Sequence, residues 1–170
     1  MIIDLHTHTR PGSYDSSLNI VDLISRARRA GIDGICFTEH DRFWNLDEVA
    51  KLEREYDFPI FPGSEIDTEE GHIIVLGPTE YRFGMHRAAF IRELLDREGG
   101  VMILSHPYRR WFYYGSDIDS SVERVFENPV FKLVDTVESM NGRGNERQNS
   151  FSIELGRKLG CTWTERRTQR

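Results

Sequence analysis

Cysteine is scarce in this chain of 170 residues: Cys36 and Cys161 are the only two. Two thiols, one of them inside an apolar stretch, do not make the disulfide framework of a secreted domain, so the expected compartment is the cytoplasm. Long apolar runs are missing as well. No segment approaches the roughly 18 residues of a membrane span, and no leader is expected ahead of the first apolar run at Ile2. Basic charge is outweighed, with 22 Lys and Arg against 28 Asp and Glu and a net charge of −6. That balance argues against the basic surface of a nucleic-acid-binding protein, so neither a nucleic-acid nor a membrane partner is expected. There is no internal repeat and no low-complexity tract. What is present is a globular composition, 38% hydrophobic and 29% charged, long enough for one domain with a real core.

The chain opens on Ile2-Ile3-Asp4-Leu5-His6-Thr7-His8-Thr9, a short apolar run ending in two histidines. On a strand, side chains alternate between faces, so His6 and His8 project from the same one. A polar loop rich in turn formers follows, from Arg10 to Ser17. Leu18, Val21, Leu23, Ile24 and Ala27 recur at helical spacing, with Asn19 as N-cap and Gly31 as stop. The pattern then alternates. Strands are expected at 32–38, 58–66, 72–77, 101–105 and 133–137, and helices at 46–56, 87–97, 121–127 and 145–159. The run at 72–77 is expected to pair back on its neighbour, and 108–114 to form a loop. Strands alternating with helices imply βαβ units in an α/β layer or barrel. In such folds functional residues gather at the C-terminal ends of the strands.

Five of the six histidines fall at or beside a strand end: His6, His8, His40, His72 and His106. Glu65 and Glu138 end two further strands, and Asp15 lies in the first loop. His86, beside a helix start, is read as a surface residue. Imidazoles and carboxylates together suit zinc, manganese or iron. A glutamate has two oxygens and can bridge two ions, so Glu65 among several histidines suggests a cluster of two or three. Such a cluster activates water and clamps the oxygens of a phosphoester. Arginines are the natural phosphate clamp, and Arg109 and Arg143 are better placed for it than Arg10 and Arg110. The aromatic run Trp111-Phe112-Tyr113-Tyr114 is read as a packed lid in preference to a base-stacking platform.

Asp4-Leu5-His6-Thr7-His8 with Asp15, Thr38-Glu39-His40-Asp41, Gly63-Ser64-Glu65-Ile66, Ser105-His106-Pro107 and Glu138-Ser139-Met140-Asn141 together resemble the PHP (polymerase and histidinol phosphatase) superfamily, in the right order from Met1 to about Leu159. The resemblance implies a distorted (β/α)7 barrel, up to three divalent ions and phosphoester hydrolysis. It implies that His6, His8 and Glu65 hold one ion, that Glu65 bridges to a second shared with His72 and His106, and that Asp15 and His40 hold a third. Members of the family vary at the position of His72.

The end of the chain departs from the family pattern. PHP proteins of this type carry a late Gly-Ser-Asp-x-His motif, whose aspartate completes the first ion site and whose histidine completes the third. Residues 160–170 contain neither aspartate nor histidine and offer no apolar strand. The expected architecture is therefore an α/β (β/α)7 PHP-type barrel lacking its last strand. Its domain would span residues 1–159, with a polar tail at 160–170 that looks foreign to it. Read one base later, codons for the tail can encode Gly-x-Ser-Asp-Ala-His, which suggests a frameshift, and weakened metal binding and turnover are expected to follow.

The function expected is divalent-metal-dependent hydrolysis of a small phosphorylated molecule, such as a nucleotide or a sugar or histidinol phosphate. The cofactors would be two to three ions of manganese, zinc or iron, held by His6, His8, Asp15, His40, Glu65, His72 and His106. Glu65, His106 and Asp41 are the catalytic candidates; Arg109, Asn141 and Arg143 are the substrate contacts. The alternative is a non-catalytic metal-binding domain, or one that dimerises through the open barrel edge. An amidohydrolase-type barrel shares the His-x-His, but no strand here ends in the lysine such sites use.

Overall fold

A computed structural model describes residues 1–10 and 12–160. The tail from 161 to 170 lies outside the described residues, and so do the expectations about its missing motif and its origin.

Six strands form one curled sheet in chain order, an open half-barrel with β1 and β6 at its edges. They are β1 (Ile3–Thr7), β2 (Gly34–Phe37), β3 (Ile60–Thr68), β4 (Gly71–Leu76), β5 (Val101–Leu104) and β6 (Thr136–Val137). The first three are mutually parallel; β4 runs antiparallel to both β3 and β5, and β6 is parallel to β5. The expected back-pairing of the 72–77 run is present as β4. Its reversal matters for the site, because the start of β4 lies on the same rim as the ends of its neighbours. His72 therefore joins the other histidines from the opposite chain direction.

The helices are α1 (Ile20–Arg29), α2 (Leu46–Tyr56), α3 (Ala88–Glu98), α4 (Tyr108–Trp111), α5 (Ile118–Phe126) and α6 (Glu146–Lys158). Asn19 and Asn45 cap α1 and α2, and Asn145 closes a capping box with Gln148 on α6. The helix α3 stops at Gly99-Gly100, as its sequence implies; both have positive φ, and a Cβ on Gly100 would lie 2.4 Å from the Leu76 carbonyl oxygen.

Every residue of β2 is buried, as expected of a parallel strand covered on both faces. The core divides in two. Ile24, Ala27, Ile35, Phe37, Val49 and Ile60 pack α1 and α2 on the first strands. A larger cluster, including Ile66, Ile73, Ile91, Leu104, Val125 and Phe151, packs α3, α5 and α6 on the rest. Among the described residues no helix is long and apolar enough to cross a membrane.

Three expectations are corrected. The 108–114 segment begins with a helical turn, α4, because Pro107 starts a run of i→i+4 bonds that brings Trp111 back to the Pro107 carbonyl. Its aromatics divide: Trp111 packs on Phe131 and Phe112 stacks on Phe151, while Tyr113 and Tyr114 are exposed. The strand expected at 133–137 shrinks to Thr136–Val137, since the 3-10 turn begun at Pro129 runs on past Lys132, with the Leu133 and Val134 N–H groups both donating to the Val130 carbonyl. The helix expected at 121–127 starts earlier, at Ile118, where the Asp117 side chain caps it.

Candidate metal centre

Local chain geometry presents the cluster. Glu65 sits mid-strand on β3, pointing into the cup, while its neighbour Ile66 points into the core. The backbone of β2 carries on past Phe37 to the rim through an isolated bridge between His40 and Glu65. The peptides lock there: Glu65 N–H donates to the Glu39 carbonyl, and Asp41 N–H donates to the Glu65 carbonyl. Asp41 and His106, each just beyond a strand end, have positive φ (49° and 27°), a conformation costly for residues other than glycine and common at functional sites.

Glu65 is fully buried, and its two oxygens face different partners. Oε2 lies 3.2 Å from His6 Nε2, 3.1 Å from His8 Nε2 and 3.4 Å from His40 Nδ1. Oε1 lies 3.3 Å from His72 Nδ1 and 3.0 Å from His106 Nε2. Five imidazoles thus converge on one carboxylate. His6 Nε2 and His8 Nε2 are themselves 3.0 Å apart, so with Glu65 Oε2 they form a nearly equilateral triangle. A tetrahedral cation with bonds of about 2.0–2.1 Å sets its ligand atoms about 3.3 Å apart, close to this triangle's edges. Asp15 supplies a second focus, its Oδ1 3.6 Å from His40 Nε2. The ligand atoms of His8, Asp15 and His40, and those of His40, Glu65 and His72, lie within 4.8 Å of one another.

Two observations fit divalent ions. Glu65 Oε2 and Asp15 Oδ1 are both buried carboxylate oxygens with no hydrogen-bond donor among the described residues. Such oxygens are costly unless a cation or proton answers them. The donor set of imidazoles and carboxylates is also that of zinc, manganese or iron. His40 reaches Glu65 Oε2 as well as Asp15, so one imidazole stands between the groups expected to hold the first and third ions.

Electrostatics agree. Burial alone would raise the Glu65 pKa, yet the surrounding imidazoles of His106, His6, His72 and His8 hold it well below the usual carboxylate range. Burial likewise disfavours charge on His6, but Glu138 and Glu65 outweigh it and raise its pKa to about 10. The hydrogen bond to Glu65 raises His72, whereas burial holds His106 low. Burial would raise Asp15, but His8, His40 and Arg143 lower it.

The remaining candidates fall into place around a cavity of about 210 Å³. Arg109, Asn141 and Arg143 line it together with His6, His8, Asp15, His40, Glu65 and His106. Arg143 reaches Asp15, 3.4 Å to Oδ2, and is otherwise exposed. Asn141 is buried and already engaged, donating to Glu138 Oε1 and accepting from Arg143 N–H. Asp41 does not line the cavity; its Oδ1 accepts from Asp67 N–H at the exposed rim. Arg110 is tied to the Glu69 carbonyl, and His86 packs beside Phe83 away from the cluster.

Sequence reasoning missed the groups behind the ligands. Glu138 does not face the cavity: it takes His6 Nδ1 at 3.1 Å and His106 N–H at 2.8 Å. Glu39, fully buried, binds Thr9 and Ser13. The available signal was a glutamate directly preceding His40, just past the apolar run of the second strand.

The chain matches the PHP domain family over residues 4–135. An uncharacterized protein of Methanocaldococcus jannaschii is 33% identical over 186 aligned positions, taking in 97% of this chain and all of that one. A Thermotoga maritima protein named probable histidinol-phosphatase is 33% identical over 73 positions, 38% of this chain and 30% of its own length. Among solved structures, a Bifidobacterium adolescentis protein described as a "putative metal-dependent phosphoesterase" superposes with a TM-score of 0.61 over 94% of this chain and 84% of that one. Its identity is 14%, so it speaks for the fold. With its motifs in order, its sheet curled around them and most of its length matched, this chain belongs to the PHP domain family.

Proposed function

We propose that this protein is a divalent-metal-dependent phosphoesterase acting on a small phosphorylated molecule. The observation that carries the reading is the Glu65 carboxylate, fully buried, with five imidazole nitrogens within 3.4 Å of its two oxygens. A carboxylate so surrounded could be shared between divalent ions, and ions held there, beside the cavity, would suit phosphoester hydrolysis. The phosphoesterase and histidinol-phosphatase descriptions of two relatives support the same reaction class.

The ligands would be His6, His8 and Glu65 for one ion, Glu65, His72 and His106 for a second, and Asp15 and His40 for a third. When bound, the ions supply Lewis acidity toward phosphoryl oxygens and lower the pKa of water. The chain's own residues do the rest. Arg109 and Arg143, which both line the cavity, bind the phosphate through charge-assisted hydrogen bonds. Asn141 holds Arg143 by its backbone and Glu138 by its amide, fixing that wall of the cavity. Burial of Glu65 and His106 keeps bulk water away from the reacting end.

The test is metal content and turnover together. Purified protein is stripped with chelator, reloaded with Mn²⁺ or Zn²⁺, and assayed on p-nitrophenyl phosphate and on nucleotide, sugar and histidinol phosphates. Metal-restored hydrolysis supports the reading. Metal retention without turnover on any substrate would favour the non-catalytic alternative, and failure to retain metal would sink both.

A further inference from the structure

Among the described residues, Glu39 is the one fully buried carboxylate near the cluster that the proposed chemistry does not use. It is packed tightly: a Cβ on Gly12 would fall 2.4 Å from its Cδ. Its oxygens accept from the Thr9 backbone N–H at 3.1 and 3.0 Å, from the Thr9 hydroxyl and from the Ser13 hydroxyl. Ser13 is buried as well. A serine hydroxyl has one hydrogen and two lone pairs. The hydrogen goes to Glu39 Oε2, one lone pair faces His40 N–H at 3.2 Å, and the other faces His8 Nδ1 at 3.1 Å. With its hydrogen committed, Ser13 is left as an acceptor toward His8, so Nδ1 of His8 carries the hydrogen. Nε2 then presents a bare lone pair to the triangle with His6 Nε2 and Glu65 Oε2.

We propose that Ser13 and Glu39 form a relay that fixes the tautomer of His8, making both positioning residues for the metal centre. The relay parallels the direct contact of His6 Nδ1 with Glu138, so each histidine of the His-x-His pair is oriented by its own buried carboxylate. Ser13 also holds the backbone of His40, which couples the two ligands nearest Asp15 to one hydroxyl. The inference rests on His8 being a metal ligand, and the experiment separates the two claims.

The first measurement is ¹⁵N NMR of histidine-labelled, metal-free protein at about pH 9, where an ordinary imidazole is neutral. The expected result is the Nδ1–H tautomer for His8 in the wild type and in Ser13→Thr, and loss of that preference in Ser13→Ala. An Nε2–H tautomer in the wild type, or an unchanged one in folded Ser13→Ala, overturns the relay whether or not metal binds. The second is Zn²⁺ affinity by calorimetry. Ser13→Ala and Glu39→Gln are expected to weaken binding by about 10- to 100-fold, as loss of groups behind a ligand does, with Ser13→Thr restoring it. Wild-type affinity in a folded Glu39→Gln protein removes Glu39 from the relay. No Zn²⁺ binding by the wild type, with the tautomer as expected, refutes the metal reading and leaves the relay standing.

Discussion

Nδ1 of His6 lies 3.1 Å from Oε1 of Glu138, a residue 132 positions later in the chain. That contact joins the first strand of the sheet to the end of the last. It also turns the other ring nitrogen of His6 toward Glu65, where the candidate ion would sit. Glu138 acts in two directions, since its second oxygen takes the backbone N–H of His106. One buried carboxylate thereby sets the orientation of one histidine and the backbone of another.

The metal-free protein should show this contact in its pH dependence. Burial alone would raise the pKa of Glu138, but the charge and hydrogen bond of His6, with His106 and Asn141, bring it down to about 2. A folded value below the unfolded one means that the contribution is fully present above about pH 4.5 and is lost as pH falls through about 2. Its size is at most about 3 kcal/mol. In urea denaturation of the metal-free chain, Glu138→Gln should flatten the acid limb between those values by about one proton. An unchanged limb would mean that Glu138 gains nothing from His6.

Glu65→Gln should cost more metal than loss of any single histidine. Both Glu65 oxygens face imidazoles, so its removal strikes two groups of ligands, whereas His6→Ala or His106→Ala strikes one. Elemental analysis after gel filtration gives the comparison. Hydrolysis by Glu65→Gln should fall on the order of 100-fold or more, because the ions' share of transition-state stabilisation is several kcal/mol. Equal metal loss in all three variants would argue against a bridging role.

Replacing either cavity arginine should affect substrate more than metal. A charge-assisted hydrogen bond contributes about 1.5–3 kcal/mol, so Arg109→Met and Arg143→Met should each lower kcat/KM by about 10- to 100-fold. Arg143→Lys should recover little, since a single ammonium cannot reproduce a planar two-point contact. Arg143 also bonds Asp15, so its loss has a modest second effect on metal retention that Arg109→Met lacks. Steady-state kinetics at saturating metal separates the two.

Gly12→Ala should destabilise the first loop without touching any ligand. Its Cβ would lie within 2.8 Å of three atoms of the buried Glu39 side chain. Overpacking of this kind costs about 1–3 kcal/mol. Thermal denaturation should report a lower Tm, and an unaltered Tm would show that Glu39 has room to move.

Much of this was legible in the chain itself. Alternation of strand and helix patterns gave the α/β class, and Asn19 and Gly99 marked helix ends where the structure has them. The positions of His6, His8, His40, His72 and His106 at or beside strand ends followed from counting along the sequence, whereas Glu65, expected to end a strand, sits inside β3. Less legible were elements whose form depends on what lies across from them. The start of the strand expected at 133–137 became part of a turn and the start of the loop expected at 108–114 a helical turn, because local apolarity is equally served by either conformation once buried. Asp41 looked equivalent to its neighbours in sequence, but a positive φ and a bond to Asp67 take its carboxylate to the rim.

Sequence by itself determined which side chains are candidate ligands and which strands carry them, because the period of a strand and the chemistry of imidazole are local properties. Tertiary structure alone decided which atoms meet. The reversal of β4 brings His72 to the rim, Glu65 divides its oxygens between two sets of histidines, and Glu138 and Glu39 stand behind His6 and His8. Those relations span up to 132 residues and depend on sheet curvature and register, which no local pattern encodes.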